Sequence, residues 1–200
     1  MQTQLATATI LMALGFAQHA AAQDAGEWIV RGGFHSIEPQ SNNHALLKVA
    51  NQTGLTLSTT YMFAPSWGVE LFAGMPFTHG IAVDGAGEVA EADLLLPTLS
   101  AQYHFNPNGR VRPYVGAGLN YTTFSDERTW GALQGVKLEL GSSFGPAAQV
   151  GVDVDVIPGW HINVDARWFD LDTDAKLDGV DLGTVHIDPY AFGLSLGYRF

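Results

Sequence analysis

The chain has 200 residues, 46 % of them hydrophobic and only 14 % charged, a composition that excludes intrinsic disorder and suits one domain. Its net charge of −11, with nine Lys and Arg in total, leaves no basic patch to neutralise phosphates and so excludes nucleic acid as a partner. The absence of cysteine removes thiolate zinc sites, iron–sulfur clusters and disulfides from consideration.

The first element is a leader. Residues 5 to 16 read LATATILMALGF, and Ala20-Ala21-Ala22 follows as the small-residue pattern of a signal-peptidase site. The amino terminus supplies the only positive charge before the apolar run, which at roughly a dozen residues is too short for the ~20 that a spanning helix needs. Cleavage after Ala22 is expected, leaving 23–200 as a single domain. No later segment has the length and apolarity of a membrane helix.

Downstream the pattern has period two, the signature of strands with two different faces. Eight such segments are predicted at 26–35, 53–63, 67–77, 93–105, 110–125, 138–156, 160–171 and 184–200. In the second, Leu55, Leu57, Tyr61 and Phe63 alternate with Thr56, Ser58, Thr60 and Met62. In the fifth, Val115, Ala117, Leu119 and Tyr121 alternate with Gly116, Gly118 and Asn120. In the seventh, Trp160, Ile162, Val164 and Trp168 alternate with His161, Asn163, Asp165 and Arg167. Short connections with turn chemistry, at 64–66, 106–109 and 157–159, alternate strictly with long ones at 36–52, 78–92, 126–137 and 172–183. This order predicts an all-β, eight-stranded antiparallel up-and-down transmembrane β-barrel with short periplasmic turns and long extracellular loops.

A soluble barrel would give the same count with its aliphatic face turned inward. Here the polar face carries Arg31, Glu70, Arg112, Asp153, Asp165, Arg167 and Arg199 mixed with Gly116, Gly118, Gly151, Gly193 and Gly197. Glycines belong where side chains converge in a narrow interior, and charges confined there form a paired network because an unpaired one costs several kcal/mol. The apolar alternates then face lipid. Trp28, Tyr61, Phe63, Trp67, Tyr103, Phe105, Trp160, Tyr198 and Phe200 cluster at the turn ends as a membrane-interface girdle.

With this reading in place, the segments PTLSAQYHF (97–105), RPYVGAGLNYT (112–122), FGPAAQVGVDV (144–154), WHINVDARWFDLDT (160–173) and IDPYAFGLSLGYRF (187–200) resemble the OmpW family of Gram-negative outer-membrane proteins, AlkL-like alkane-uptake members included. The resemblance implies an eight-stranded barrel in the cell outer membrane with a narrow, largely hydrophobic interior and passive uptake of small apolar molecules. It also implies that Tyr198 and Phe200 form the C-terminal signal read by the outer-membrane assembly machinery.

Strand parity points Met62, Phe72, Leu94 and Leu96 inward, with Leu46 or Leu47 from the first long loop, all expected toward the loop end. The charges are expected below them, so that an apolar funnel stands over a charged plug. Straight passage is then resisted and sideways exit into the membrane favoured. Pro76 and Pro97, each lacking a ladder donor, mark a weakened wall between the third and fourth predicted strands, or simply strand ends. The alternative is a non-conducting structural or receptor barrel whose loops bind phage, bacteriocin or other surface partners. Expected partners are outer-membrane lipid and lipopolysaccharide, the assembly machinery and small hydrophobic solutes, with the barrel a monomer.

Other chemistry finds little support. The acids of DLDTD (170–174) lack the Gly and distal Glu of a calcium loop and read as a solvated rim. The histidines are scattered, so no metal is expected, and no cofactor. Ser100 and His104 share a face but stand roughly 13 Å apart along a strand, too far for a nucleophile and its base. No enzyme is predicted.

Overall fold

Lipid cannot hydrogen-bond a backbone, so strands that cross a membrane must close on themselves. A computed structural model describes residues 23–40, 47–49, 51–83 and 87–200; the expected leader, with its expected cleavage after Ala22, and Leu46 lie outside them. In chain order the strands are β1 (Trp28–Glu38), β2 (Leu47–Val49), β3 (Gln52–Ala64), β4 (Trp67–Gly74), β5 (Phe77–Val83), β6 (Gly87–Leu95) and β7 (Thr98–His104). They continue with β8 (Val111–Thr129), β9 (Leu138–Leu140), β10 (Ser143–Ile157), β11 (Trp160–Phe169), β12 (Asp172–Leu177), β13 (Val180–His186) and β14 (Tyr190–Arg199).

The ring runs β10-β11-β14-β1-β3-β4-β7-β8 and closes by pairing β8 with β10, every neighbour antiparallel. The seam between the first and last strands is continuous from Ile29↔Arg199 to Glu38↔Tyr190. The eight predicted segments therefore correspond to the eight barrel strands. Four of them are interrupted. The segments at 67–77, 93–105 and 184–200 break at Met75-Pro76, at Leu96-Pro97 and before Pro189, because a proline cannot donate to the ladder and restricts the residue before it, and that at 138–156 breaks at Gly141-Ser142, where no proline stands.

The long connections are also more ordered than their composition implies. β5 and β6 form a hairpin that extends the wall by pairing with the upper half of β8, and β12 and β13 form a second hairpin joined by β9. Turn signals alone do not reveal such hairpins, since their register is set by strands already present in the wall.

The faces fall as the alternation predicts. Leu55, Leu57, Val115, Leu119, Val150, Val164, Leu194 and Leu196 are exposed on the outside, where lipid covers them. At the turn end, Trp28 packs on Tyr61, Trp67 on Tyr103 and Trp160 on Tyr198, with ring centroids 4.9–5.0 Å apart. Phe200 stacks on Tyr198 at the rim and its carbonyl accepts a hydrogen bond from Trp28 N at 2.9 Å.

Inside, large rings stand opposite glycines on the paired strand. His35 faces Gly193, His161 faces Gly197 and Tyr114 faces Gly151. A methyl group on those glycines would lie 2.2 Å from His35 Nε2, 2.1 Å from His161 Nε2 and 2.5 Å from the Tyr114 ring. His35 cannot swing aside, because Thr56 and Asp165 hold both its nitrogens. Gly193→Ala is expected to cost about 1–3 kcal/mol through overpacking. Gly32→Ala, whose methyl would meet only Leu57 Cδ1 at 4.0 Å, is expected to stay within about 0.5 kcal/mol of the wild type. Urea unfolding in detergent micelles measures both, and equal effects would contradict this account.

Candidate functional site

The interior is built in three layers, each from inward-facing alternates. In the middle, Glu70 on β4 and Arg167 on β11 meet across the lumen from strands four places apart in the eight-strand ring. Arg167 donates to both Glu70 oxygens at 2.8 and 3.1 Å and to Asp165 at 2.7 Å. Arg31 on β1 makes the matching bidentate pair with Asp153 on β10, at 2.7 and 3.1 Å, and reaches Thr60 at 3.1 Å. Further lone pairs of the acids are taken by neutral donors: Gln149 to Glu70 at 2.8 Å and Asn163 to Asp153 at 2.7 Å. All five charged groups are buried. Buried charges survive when paired in this way, and the two planar guanidiniums grip carboxylates on distant strands, with Asp165 Oδ1 alone of these acids' oxygens left without a hydrogen bond among the described residues.

A second, smaller layer lies at the turn end. Arg112 binds Asp155 through two contacts of 2.6 Å, and Arg199 stands 3.8 Å from Asp155 and 3.6 Å from Glu27. The single network expected from the sequence is thus two. Arg112 pairs with Asp155 rather than Asp153, because β8 and β10 place Asp153 opposite Arg112 in register while Arg31 already occupies the Asp153 carboxylate. Sequence reasoning missed Asp155 and Glu27 as partners, and His35, Tyr114, Gln149 and Asn163 as bridging groups. All share the inward parity of residues that were found, Glu27 standing four residues before Arg31.

The third layer, at the loop end, is apolar. Phe72, Phe77, Leu94, Leu96, Phe169 and Leu171 are at most 4 % exposed and pack as one cluster beneath the loop hairpins. Phe72 marks the boundary, with the Arg167 guanidinium 4.0 Å from its ring centroid and the His35 ring on another side. Phe72, Leu94 and Leu96 therefore sit where parity predicts. Met62 is inward and buried but lies at the turn end, opposite Gly68 and bonded through its backbone to Glu27 and Gly26, because it falls two residues before the short turn that follows Ala64. Its expected place toward the loops is corrected accordingly. Phe169 and Leu171 continue the inward face of β11 and were readable by the same parity. Leu47 opens β2.

At the level of the apolar layer, just above the charged one, the wall carries a discontinuity. β4 pairs with β7 as far as Phe72↔Thr98, and pairing resumes between β5 and β6 at Phe77↔Leu94. Residues 73–76 and 95–97, which include Pro76 and Pro97, form no rungs with each other. Each side stays anchored to its other neighbour: Met75 N donates to Leu55 O at 2.9 Å and Tyr121 N to Pro97 O at 3.0 Å. Met75 and Leu95 are exposed on the outer side of the gap. On the inner side the Phe77 ring covers Gly54 and Gly74, where a methyl group would come within 2.5 and 2.3 Å of it. Beside the charged layer a small cavity of about 10 Å³, enough for about one water, lies between Thr98, Ser100, Gln149, Arg167 and Phe169.

Ser100 and His104 do not meet: the serine hydroxyl serves Glu70 and Gln149, and the imidazole lies 3.3 Å from Gln102 Oε1 and stacks on Tyr114. At the crown, Asp170, Asp172 and Asp188 bring carboxylate oxygens within 4.8 Å of one another. They are engaged by the hairpin itself, Asp172 by His186 at 2.5 Å and Asp188 by the Leu171 amide at 3.0 Å. That hydrogen bond, donated by His186 Nδ1 to the Asp172 carboxylate, and then the carboxylate charges around it, hold His186 above the ordinary histidine value.

Residues 24–200 match the profile of the OmpW family. Outer membrane protein W of Escherichia coli (strain K12) is 39 % identical over 98 % of this chain and 96 % of its own. Outer membrane protein AlkL of Ectopseudomonas oleovorans is 32 % identical over 78 % of this chain and 70 % of its own. The crystal structure of outer membrane protein OprG from Pseudomonas aeruginosa superposes with a TM-score of 0.79 at 33 % identity, covering 90 % of this chain and 98 % of that one.

Two outcomes follow from the layers. Glu70→Gln removes the carboxylate that Arg167 grips through two hydrogen bonds, leaving two buried arginines to share Asp153 and Asp165, and is expected to destabilise the barrel by about 3–5 kcal/mol in urea unfolding; a loss below about 1 kcal/mol would contradict a paired network. At the crown, a raised histidine midpoint means that the charged His186–Asp172 pair stabilises the β12–β13 hairpin at low pH and is lost as pH rises through that midpoint. Amide exchange of residues 173–186, corrected for intrinsic base catalysis, should show more frequent opening above it.

Proposed function

The chain belongs to the OmpW family of outer-membrane β-barrels of Gram-negative bacteria, and from that premise we propose that it takes up small apolar molecules passively and releases them sideways into the membrane. The observation that carries this reading is the position of the ladder discontinuity. It lies at the level of the apolar layer and above the charged layer, so an apolar solute held by Phe72, Leu94 and Leu96 meets ion pairs below it and hydrocarbon beside it.

The energetics favour the sideways route. Passage toward the turn end requires parting Glu70 from Arg167 and Arg31 from Asp153, each a buried pair whose separation costs several kcal/mol. Passage through the gap requires no ladder hydrogen bond to break between 73–76 and 95–97, only rotation of the Phe77 ring away from Gly54 and Gly74. Phe77 acts in this scheme as the inner shutter, and Pro76 and Pro97 keep the wall from zipping closed. Along the chosen path the solute exchanges apolar protein surface for lipid, with no polar group left unpaired.

A packed, non-conducting barrel that serves only as a receptor through its loops is the competing reading, favoured by the small size of the cavity beside the charged layer. Cells lacking the protein and complemented with the wild type, Leu96→Asp or Arg112→Ala separate the two. Uptake of a short alkane or small aromatic should fall to the level of uncomplemented cells with Leu96→Asp, which places a charge in the apolar layer, and remain near wild type with Arg112→Ala at equal surface levels. Equal uptake with and without the protein would sink the transport reading.

A further inference from the structure

The expected cut after Ala22 makes Gln23 the first residue of the mature chain, and the fold gives that residue an unusual setting. Gln23 is completely buried, and both polar atoms of its side-chain amide lack a hydrogen-bond partner among the described residues. Its backbone nitrogen donates to the carbonyl oxygen of Pro107 at 2.9 Å, in the 106–109 turn that closes the barrel at that end. The next three residues, Asp24, Ala25 and Gly26, are exposed, so Gln23 is tucked back into the protein rather than trailing from it.

A freshly cut amino terminus is poorly suited to this position. An α-ammonium carries a full charge and three donors, whereas among the described residues this nitrogen has one partner, a neutral carbonyl oxygen. Burying an uncompensated charge is expensive, and burial without bonds of an amide that has two further donors and an acceptor adds to the cost. A five-membered lactam suits the position better: it is uncharged, compact, and keeps one N–H to donate to Pro107.

We propose that Gln23 is a modification site whose mature form is pyroglutamate. In the neutral form of the terminus, the α-nitrogen attacks the side-chain carbonyl carbon Cδ. A new N–Cδ bond forms, the Cδ–Nε2 bond breaks, and Nε2 leaves as ammonia with one proton taken from the α-amine. The step consumes no oxidant, reductant or other co-reactant. It removes the buried charge and the side-chain NH₂ that has no acceptor, and it leaves the Pro107 hydrogen bond in place.

The inference rests on leader removal after Ala22, and one experiment reads the two separately. The full precursor is expressed in a Gram-negative host, extracted fresh from outer membranes and examined by intact mass and by fragmentation of its N-terminal peptide. The expected product begins at residue 23, is one ammonia lighter than the encoded 23–200, and has no α-amine that an amine-directed label can reach even after unfolding. A Gln23→Ala chain should show its encoded mass and take the label. Encoded mass with a labelled α-amine on Gln23, or ammonia loss that appears only in stored extracts, would overturn the modification. A chain beginning elsewhere would overturn the leader cut and the modification with it.

Discussion

Closure of the hydrogen-bond ladder is the constraint from which the rest follows. In hydrocarbon an unpaired backbone group costs several kcal/mol, so the first strand must find the last and the pairing must return to its start. Once β8 meets β10 and β1 meets β14, every residue of a barrel strand faces either lipid or the lumen, and the period-two pattern becomes a statement about three-dimensional position. A slip of one residue would put Arg31, Glu70 and Arg167 into lipid, which makes the register self-enforcing.

The lumen of eight strands is narrow, and its filling obeys two rules seen throughout. Bulky rings sit opposite glycines on the neighbouring strand, as His35 does with Gly193 and Tyr114 with Gly151. Charges sit where a partner can reach them from a distant strand, as Arg167 reaches Glu70. The first rule supplies space and the second offsets desolvation. Together they fill the middle of the barrel with a septum of paired side chains.

Above that septum the chemistry changes within one residue spacing, at Phe72, which touches Arg167 with its ring face and belongs to the apolar cluster. The same level of the wall holds the unpaired stretch near Pro76 and Pro97. The two hairpins of the crown continue the wall upward on either side and cover the apolar layer, so this layer is bounded by ion pairs below, loops above and a thin lateral boundary at Phe77. In a membrane protein a defect in the ladder is tolerated only where something covers it, and here an aromatic ring does.

The strand count, the alternation of short and long connections, the lipid face, the aromatic girdle and the identity of the inward charges were legible in the sequence, because a period of two assigns each side chain to a face without knowledge of its neighbours. Which charge pairs with which was not: Arg112 with Asp155, and Glu70 with Arg167, are set by strand register and by the curvature of the closed ring. The height of Met62 escaped for the same reason, since parity gives direction but not level. The loop hairpins and the precise extent of the ladder gap were decided by tertiary structure alone, because they depend on strands far apart in the chain offering their edges to one another.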